Sequence, residues 1–320
     1  MILTFNIGNT NFSIGIMERC EKPLIFTQKY TIDSLVDERM FTDYIADCLK
    51  QARTTIEEIE GAIISSVNPL LTPYLENVIL NLLKVKPVIV NPNMNMKLDL
   101  SEYDTSLLGN DRIAICEGAL SKYDSPIIIF DFGTATTINV IDKYGCFLGG
   151  SILPGIVMGL NALNSNTAQL PLGELKSIGL NDEIPLIGKN TKECIMSGAI
   201  LGNAAMLDDM VLRIQELFLE EQQASRESQE SSPAATSMKK RSIPTYITGT
   251  TTSSILAAIA PDNLPNAFDT DGDDITILVT GGNAQYILPH IKTNAIHAPD
   301  LLMDGLHELY KLNNERKMCS

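Results

Sequence analysis

Apolar residues recur along this chain in two rhythms. Short strand-like runs fall at 2–7, 12–17, 62–67, 87–91, 127–131, 136–141, 146–152, 244–248 and 275–280, and helix-like periods fall near 37–52, 70–84, 111–122, 155–164, 191–219 and 300–312. Strands alternating with helices predict an α/β protein. One unit is written twice. "MILTFNIGNTNFSIGIM" opens the chain and "IIIFDFGTATTINVI" fills 127–141, and Phe5, Asn6 and Gly8 align with Phe130, Asp131 and Gly133 at one constant offset. Each copy has an apolar run, a polar or acidic residue, a Gly- and Thr-rich turn and a second apolar run, the order expected of a hairpin. Further strands and helices follow each copy. This predicts a duplicated α/β domain facing itself across a cleft, with both turns meeting there. The expected halves are 1–115 and 116–320.

Where the periodicity stops, composition takes over. "EEQQASRESQESSPAATSMKKRS" at 220–242 is polar and without an apolar period, so a mobile surface insertion after a helix is expected. The acidic "DTDGDD" at 269–274 lacks the spacing and terminal Glu of an EF-hand loop and is expected as a solvated turn. With 320 residues and 44% hydrophobic content the chain can bury a sizeable core. A net charge of −15 removes nucleic acid from the expected partners, because a polyanion-binding surface needs excess Lys and Arg. A small anion needs only a local cradle. No apolar run approaches the roughly 18 residues of a membrane span, so no membrane contact is expected. Cys20, Cys48, Cys116, Cys146, Cys194 and Cys319 form no CxxC pair, and no basic region precedes the first apolar run, which points to reduced thiols in the cytoplasm. His290, His297 and His307 do not form a ligand cluster.

The candidate chemistry sits in the turns. A hairpin turn reading Gly-Asn-Thr-Asn or Gly-Thr-Ala-Thr-Thr can aim backbone N–H groups and hydroxyls at an anion, because Gly permits close approach and Thr adds donors. An acid ending the strand beside such a turn is where a metal-bound nucleotide would need it. In "LGNDRIAICEGAL", 108–120, Asp111 and Arg112 fall where a helix begins. Asn110 or Asp111 can serve there as a helix cap. Alternatively, Asp111 is a base for a hydroxyl and Arg112 a clamp for an anionic group. "FLGGSILPGIVMGL" (147–160), "IGKNT" (187–191) and "ILVTGGNA" (277–284) add three more Gly-rich turns. Together with the hairpins they describe a cleft lined by backbone amides.

This ordered set resembles the type III pantothenate kinases, members of the acetate kinase, sugar kinase, Hsp70 and actin superfamily. The likeness rests on "NIGNTN", "GNDR", "DFGTATT", "GGSILPG", "TAQLP" (167–171), "IGKNT", "TGG" and "HAPDLLMDGLHELYKLN" (297–313), and covers nearly the whole chain outside 220–242. The resemblance implies two ribonuclease H-like (actin-like) domains facing each other across a nucleotide-binding cleft. It also implies transfer of the γ-phosphoryl group of ATP to the 4′-hydroxyl of pantothenate, the first step towards coenzyme A. By the same resemblance Asn6, Ile7, Gly8, Asn9, Thr10, Asn11, Phe12 and Ser13 form the first phosphate loop, and Thr134 also contacts ATP. Gly109, Asn110, Asp111 and Arg112 touch pantothenate, with Asp111 as general base. Thr191 and Tyr103 complete that pocket, although "YDTSLLGNDR" is one residue shorter than the family's usual spacing. Asp131 holds a monovalent cation, K⁺ or NH₄⁺, Mg²⁺ accompanies ATP, and the assembly is a homodimer with shared active sites.

Position 6 departs from the family, which usually carries Asp there to support Mg²⁺. Asn keeps a carbonyl oxygen and nearly the same shape but loses a charge, which in a solvated metal site weakens binding by about 1–3 kcal/mol. With few Lys or Arg near the motifs and no GxxxxGK[ST], metal ions and backbone amides are expected to neutralise the phosphates. Two other functions fit the same residues: a non-enzymatic or regulatory homologue with a weakened metal site, or a kinase of another small alcohol or a sugar.

Overall fold

The computed structural model of the chain describes residues 1–18, 24–32, 37–166, 182–230 and 274–314, together with Leu175 and Gly179. The expected strand at 244–248, the "TAQLP" motif at 167–171, and most of the 269–274 turn lie outside the described residues.

Two five-stranded sheets share one plan. The first contains β1 (Ile2–Ile7), β2 (Asn11–Met17), β3 (Leu24–Thr31), β4 (Gly61–Ser66) and β5 (Val88–Ile89), in the order β3-β2-β1-β4-β5. The second contains β6 (Ile127–Phe132), β7 (Ala135–Ile141), β8 (Phe147–Pro154), β9 (Thr276–Thr280) and β10 (Ile296–His297), in the order β8-β7-β6-β9-β10. In each sheet the first three strands form an antiparallel meander, and the last two add in parallel beside the opening strand. The duplication read from two hairpins therefore extends to whole sheets. The copies differ at the turn: Gly8–Asn11 separate the paired Ile7 and Phe12, whereas Gly133–Ala135 separate Phe132 and Thr136, so the second turn is one residue shorter.

The sequence pattern did not predict β3. Its residues alternate between half-buried and exposed, and none is fully buried. An edge strand of this kind has no continuous apolar signature, and Gln28 and Lys29 dilute what alternation there is.

Helices α1 (Glu38–Gln51) and α2 (Thr72–Leu83) cover one face of the first sheet, where Phe5, Phe12 and Ile14 pack with Phe41, Ile45, Leu75 and Ile79. Asp37 caps α1 by accepting a hydrogen bond from the Met40 N–H at 2.9 Å. A second core joins residues of both sheets, Ile2, Ile63, Ile127, Ile129 and Leu278, with α3 (Asn110–Lys122) and a later helix at Leu301–Asn314. The chain between contributes α4 (Ile156–Ser165), α5 (Thr191–Glu230) and the short α6 (Ala284–Ile287), so Leu301–Asn314 is α7. Gly118 of α3 and Gly305 of α7 let these helices touch backbone to backbone; a Cβ on Gly118 would lie 2.9 Å from the Gly305 nitrogen. Strand alternation puts Asn6 on the same face as Ile2, and Asp131 on the same face as Ile127 and Ile129. Both therefore point to the side that α3 occupies.

The sheets, α3 and α7 belong to one compact unit, Met1–Asp208 with Ile275–Ser320. A second unit, Asp209–Asp274, is described through the later part of α5, where Arg213 and Asp209 form an i,i+4 ion pair, and at Asp274. α5 continues to Glu230, past the expected end at 219, so the beginning of the 220–242 segment is helical and 231–242 lies outside the described residues. Its stretch Thr191–Glu220 is long and apolar enough to cross a membrane by length and composition alone, where the sequence pattern predicted no such span. Ile195, Met196, Ile200, Ala204 and Leu207 on that stretch are buried in the protein, while most of its apolar part is not.

Candidate active site

The start of α3 anchors one side of the site. Gly109 is its N-cap, and the Asn110 side-chain amide donates to the Ser66 carbonyl at the end of β4 at 3.1 Å. Neither Asn110 nor Asp111 caps the helix in the usual way: Asp111 Oδ1 accepts from the Arg112 N–H at 2.8 Å. Gly109 has a local purpose, since a Cβ there would lie 2.5 Å from Asp111 Oδ1 and push the carboxylate aside. Burial raises the Asp111 pKa from its ordinary 3.8, and the Arg112 N–H and guanidinium oppose that rise.

Arg112 turns towards the second sheet. Its Nε donates to Asn139 Oδ1 on β7 at 2.7 Å, and its guanidinium carbon lies 5.3 Å from the Phe147 ring centre. Asn139 is itself held, donating to Thr137 Oγ1 at 3.2 Å. Tyr103 stands edge-on to the same Phe147 ring at 4.8 Å, which puts it in one cluster with Arg112. Among the described residues the terminal nitrogens of Arg112 make no hydrogen bond, which leaves the outer edge of the fork for an anion.

The two hairpin turns meet. Thr134 Oγ1 donates to Thr10 Oγ1 at 3.3 Å, across 124 residues of sequence. Asn9 and Thr10 are exposed at the first tip and Asn11 and Ser13 are partly exposed, while the side chains of Ile7 and Phe12 are in the core, so only their backbone can face a ligand. The Gly8 N–H donates to the Asn11 carbonyl at 2.9 Å, closing the turn. Around the second hairpin, the Asn283 amide donates to the Gly133 carbonyl at 3.2 Å and the Asn283 N–H to the Phe132 carbonyl at 3.1 Å. Gly281, at φ +93°, leaves no room for a side chain: a Cβ would meet the Asp131 carboxylate and lie 2.6 Å from Phe132 backbone atoms. Gly155 sits similarly against the Thr134 carbonyl. The "GNTN", "GTATT", "LPG" and "TGGN" turns thus converge, as their glycine content suggested.

Asp131 is the penultimate residue of β6, in register with Thr137 on β7 and Thr280 on β9. Its pKa is raised to about 7, first by burial, then by the nearby Asp111 charge, against which Lys29 acts. Two carboxyls from separate elements therefore repel one another here, a setting that favours a cation. Asn6, the equivalent residue on β1, leaves its Oδ1 buried without a hydrogen-bond partner, and so does its neighbour across the strands, Ser65 Oγ. A carbonyl oxygen and a hydroxyl left unmet in this way suit a hydrated cation or a water network. The Asp131 carboxyl and the unmet Asn6 and Ser65 oxygens fit a cation that also uses ligand oxygens and water; among the described residues no group of three or more His, Cys, Asp and Glu could hold a metal.

Thr191, the remaining expected residue, is exposed at the first position of α5. Among the described residues no hydrogen bond links it to Asp111, Arg112 or Asp131. Lys29, Asn139, Phe147 and Asn283 were not expected in the site. Asn139 and Asn283 stand inside motifs already singled out, but the strand carrying Lys29 was itself unpredicted.

A sequence model of the type III pantothenate kinase family matches residues 2–213. The type III pantothenate kinase of Exiguobacterium sibiricum is 33% identical over 216 residues, spanning 68% of this chain and 83% of the relative. The type III pantothenate kinase of a second Exiguobacterium strain is 33% identical over 214 residues, 67% of this chain and 82% of the relative. Among solved structures, a conserved Campylobacter jejuni protein described as a Baf family transcriptional activator superposes with a TM-score of 0.51 at 16% identity, covering 98% of this chain and 100% of its own, a likeness of fold alone.

Proposed function

Because the chain belongs to the type III pantothenate kinase family, whose members are phosphotransferases, we propose that it transfers the γ-phosphoryl group of ATP to the 4′-hydroxyl of pantothenate. The observation that carries this reading is the convergence of Asp111 at the start of α3 with Asp131 and the paired threonines Thr10 and Thr134. Phosphoryl transfer asks the protein for an aligned nucleophile and a field that neutralises phosphate charge, with little covalent work. Asp111 accepts the hydroxyl proton as the oxygen attacks phosphorus in line and ADP departs. Its raised pKa makes it a stronger base than an exposed Asp. The free edge of Arg112 binds the pantothenate carboxylate, with Tyr103 and Phe147 walling the pocket. Backbone amides of Gly8–Ser13 and the hydroxyl of Thr134 hold the phosphates.

Asn6 lies where it can support Mg²⁺·ATP through its unmet carbonyl oxygen, and Asp131 where it can hold K⁺ or NH₄⁺. Bound there, these ions supply positive charge to the phosphate tail. Thr191 joins the pantothenate pocket in a homodimer, which the mass of the protein in solution checks. We also propose that the enzyme works in the cytoplasm and that the halves divide at 115/116. Asn6 is the one residue that favours a second reading, a regulatory homologue with a weakened metal site. Incubating the protein with Mg²⁺·ATP and, separately, pantothenate, glucose and glycerol tests the choice. ADP release only with pantothenate supports the proposal; release only with another acceptor, or with none, counts against it.

A further inference from the structure

The sequence offers the phosphate turns no adjacent lysine, yet the fold brings one to them. Lys29 on β3 is in register with Ser13 on β2, which is in register with Asn6 on β1 and, through β1, with Ser65 on β4. Residues directly opposite one another share a face of the sheet, so Lys29, Ser13, Asn6 and Ser65 form one polar row on the side of α3. Two members of that row, Asn6 Oδ1 and Ser65 Oγ, are buried and unmet. At the open end, the exposed Lys29 reaches from the first sheet to the turn after β9 in the second: a Cβ on Gly282 would lie 3.4 Å from its Nζ. Among the described residues the ammonium forms no ion pair within 4.0 Å. Its field nevertheless reaches Asp131, whose carboxyl it helps keep ionised.

We propose that the Lys29 ammonium is a nucleotide-binding group of this site, holding the β- and γ-phosphate oxygens from an edge strand rather than from a phosphate loop. The inference rests on the kinase reading and extends it to a residue outside every motif. A polyphosphate lying between the Gly8–Asn11 and Gly133–Ala135 turns passes the Gly281–Gly282 turn where the ammonium waits. The uncharged Asn6 matters here. Asn brings no charge to a metal beside the phosphates, so part of the positive charge normally supplied by metal support can come from Lys29.

The test is calorimetric titration of ATP, ADP and AMP, with Mg²⁺, into the full chain and into Lys29→Met, Lys29→Arg and Lys50→Met. Met keeps the aliphatic stem, and Lys50, exposed on α1, controls for net charge. Lys29→Met is expected to weaken ATP at least tenfold and ADP less, leaving AMP unchanged, with Lys29→Arg recovering most of the loss and Lys50→Met showing none. Unchanged ATP affinity in Lys29→Met would overturn the proposal, as would equal losses for ATP and AMP, which would mark a structural role. An unsubstituted chain that binds no ATP overturns the kinase reading itself, and is distinguished because every variant is then equally silent.

Discussion

Asp131→Asn in the cation-free protein should remove a stability penalty that grows with pH. Asp131 has its pKa raised from 3.8 to about 7, chiefly by burial and then by Asp111. The sign follows from proton counting. Between those values the folded state holds a proton that the unfolded state has released, so stability present below pH 4 is lost as pH rises through 7. Three units correspond to about 4 kcal/mol as a ceiling, and because the residue keeps partial solvent contact about half of that is expected. For 320 residues, with an unfolding entropy of ~2.1 cal/mol/K per residue, 2 kcal/mol is a shift of about 3 °C in Tm. Thermal unfolding in choline buffers from pH 5 to 8.5 reads this directly. The variant should melt about 1 °C above the parent at pH 5, where roughly a third of the penalty is already present, and about 3 °C above it at pH 8.5. Potassium at pH 8.5 should raise the parent's Tm and leave the variant's unchanged. Parallel melting curves across that range would refute the assignment of a buried, charge-repelled carboxyl to Asp131.

Asp111→Asn keeps a side-chain oxygen for the Arg112 N–H but no base, so turnover should fall about 10²–10⁴-fold while pantothenate still binds, as calorimetry would show. Gly109→Ala should displace the Asp111 carboxylate and lower kcat by up to ~10²-fold, with a stability loss of only about 1 kcal/mol in denaturant titrations. Asn6→Asp should lower the KM for Mg²⁺·ATP about tenfold, or ~1.4 kcal/mol, and unaltered kinetics would show that charge at this position is dispensable.

Local patterns disclosed the parts of this molecule that repeat or that obey a turn chemistry. Asn6 and Asp131 were legible as equivalents because a strand, a polar terminus and a Gly turn recur in the same order, and the sheets built on them have the same plan. Asp111 and Arg112 were legible as a helix start. The role of Gly109, making room for a carboxylate, and the Arg112–Asn139 bond depend on contacts between elements and have no local sign. Lys29 escaped notice because its strand is a half-exposed edge whose place beside the second sheet's turn follows only from tertiary structure. The helix beyond 219 was missed for a different reason: Glu, Gln, Ala and Arg favour helix without needing an apolar stripe, so a reading by periodicity passes over them.

Transfer of labelled γ-phosphate from ATP to pantothenate, followed with purified protein in potassium and in choline buffer, bears most directly on the kinase assignment. Labelled 4′-phosphopantothenate should form in a one-to-one ratio with ADP in potassium and fall sharply in choline. A folded protein that binds ATP but yields no labelled product in either buffer would contradict the assignment.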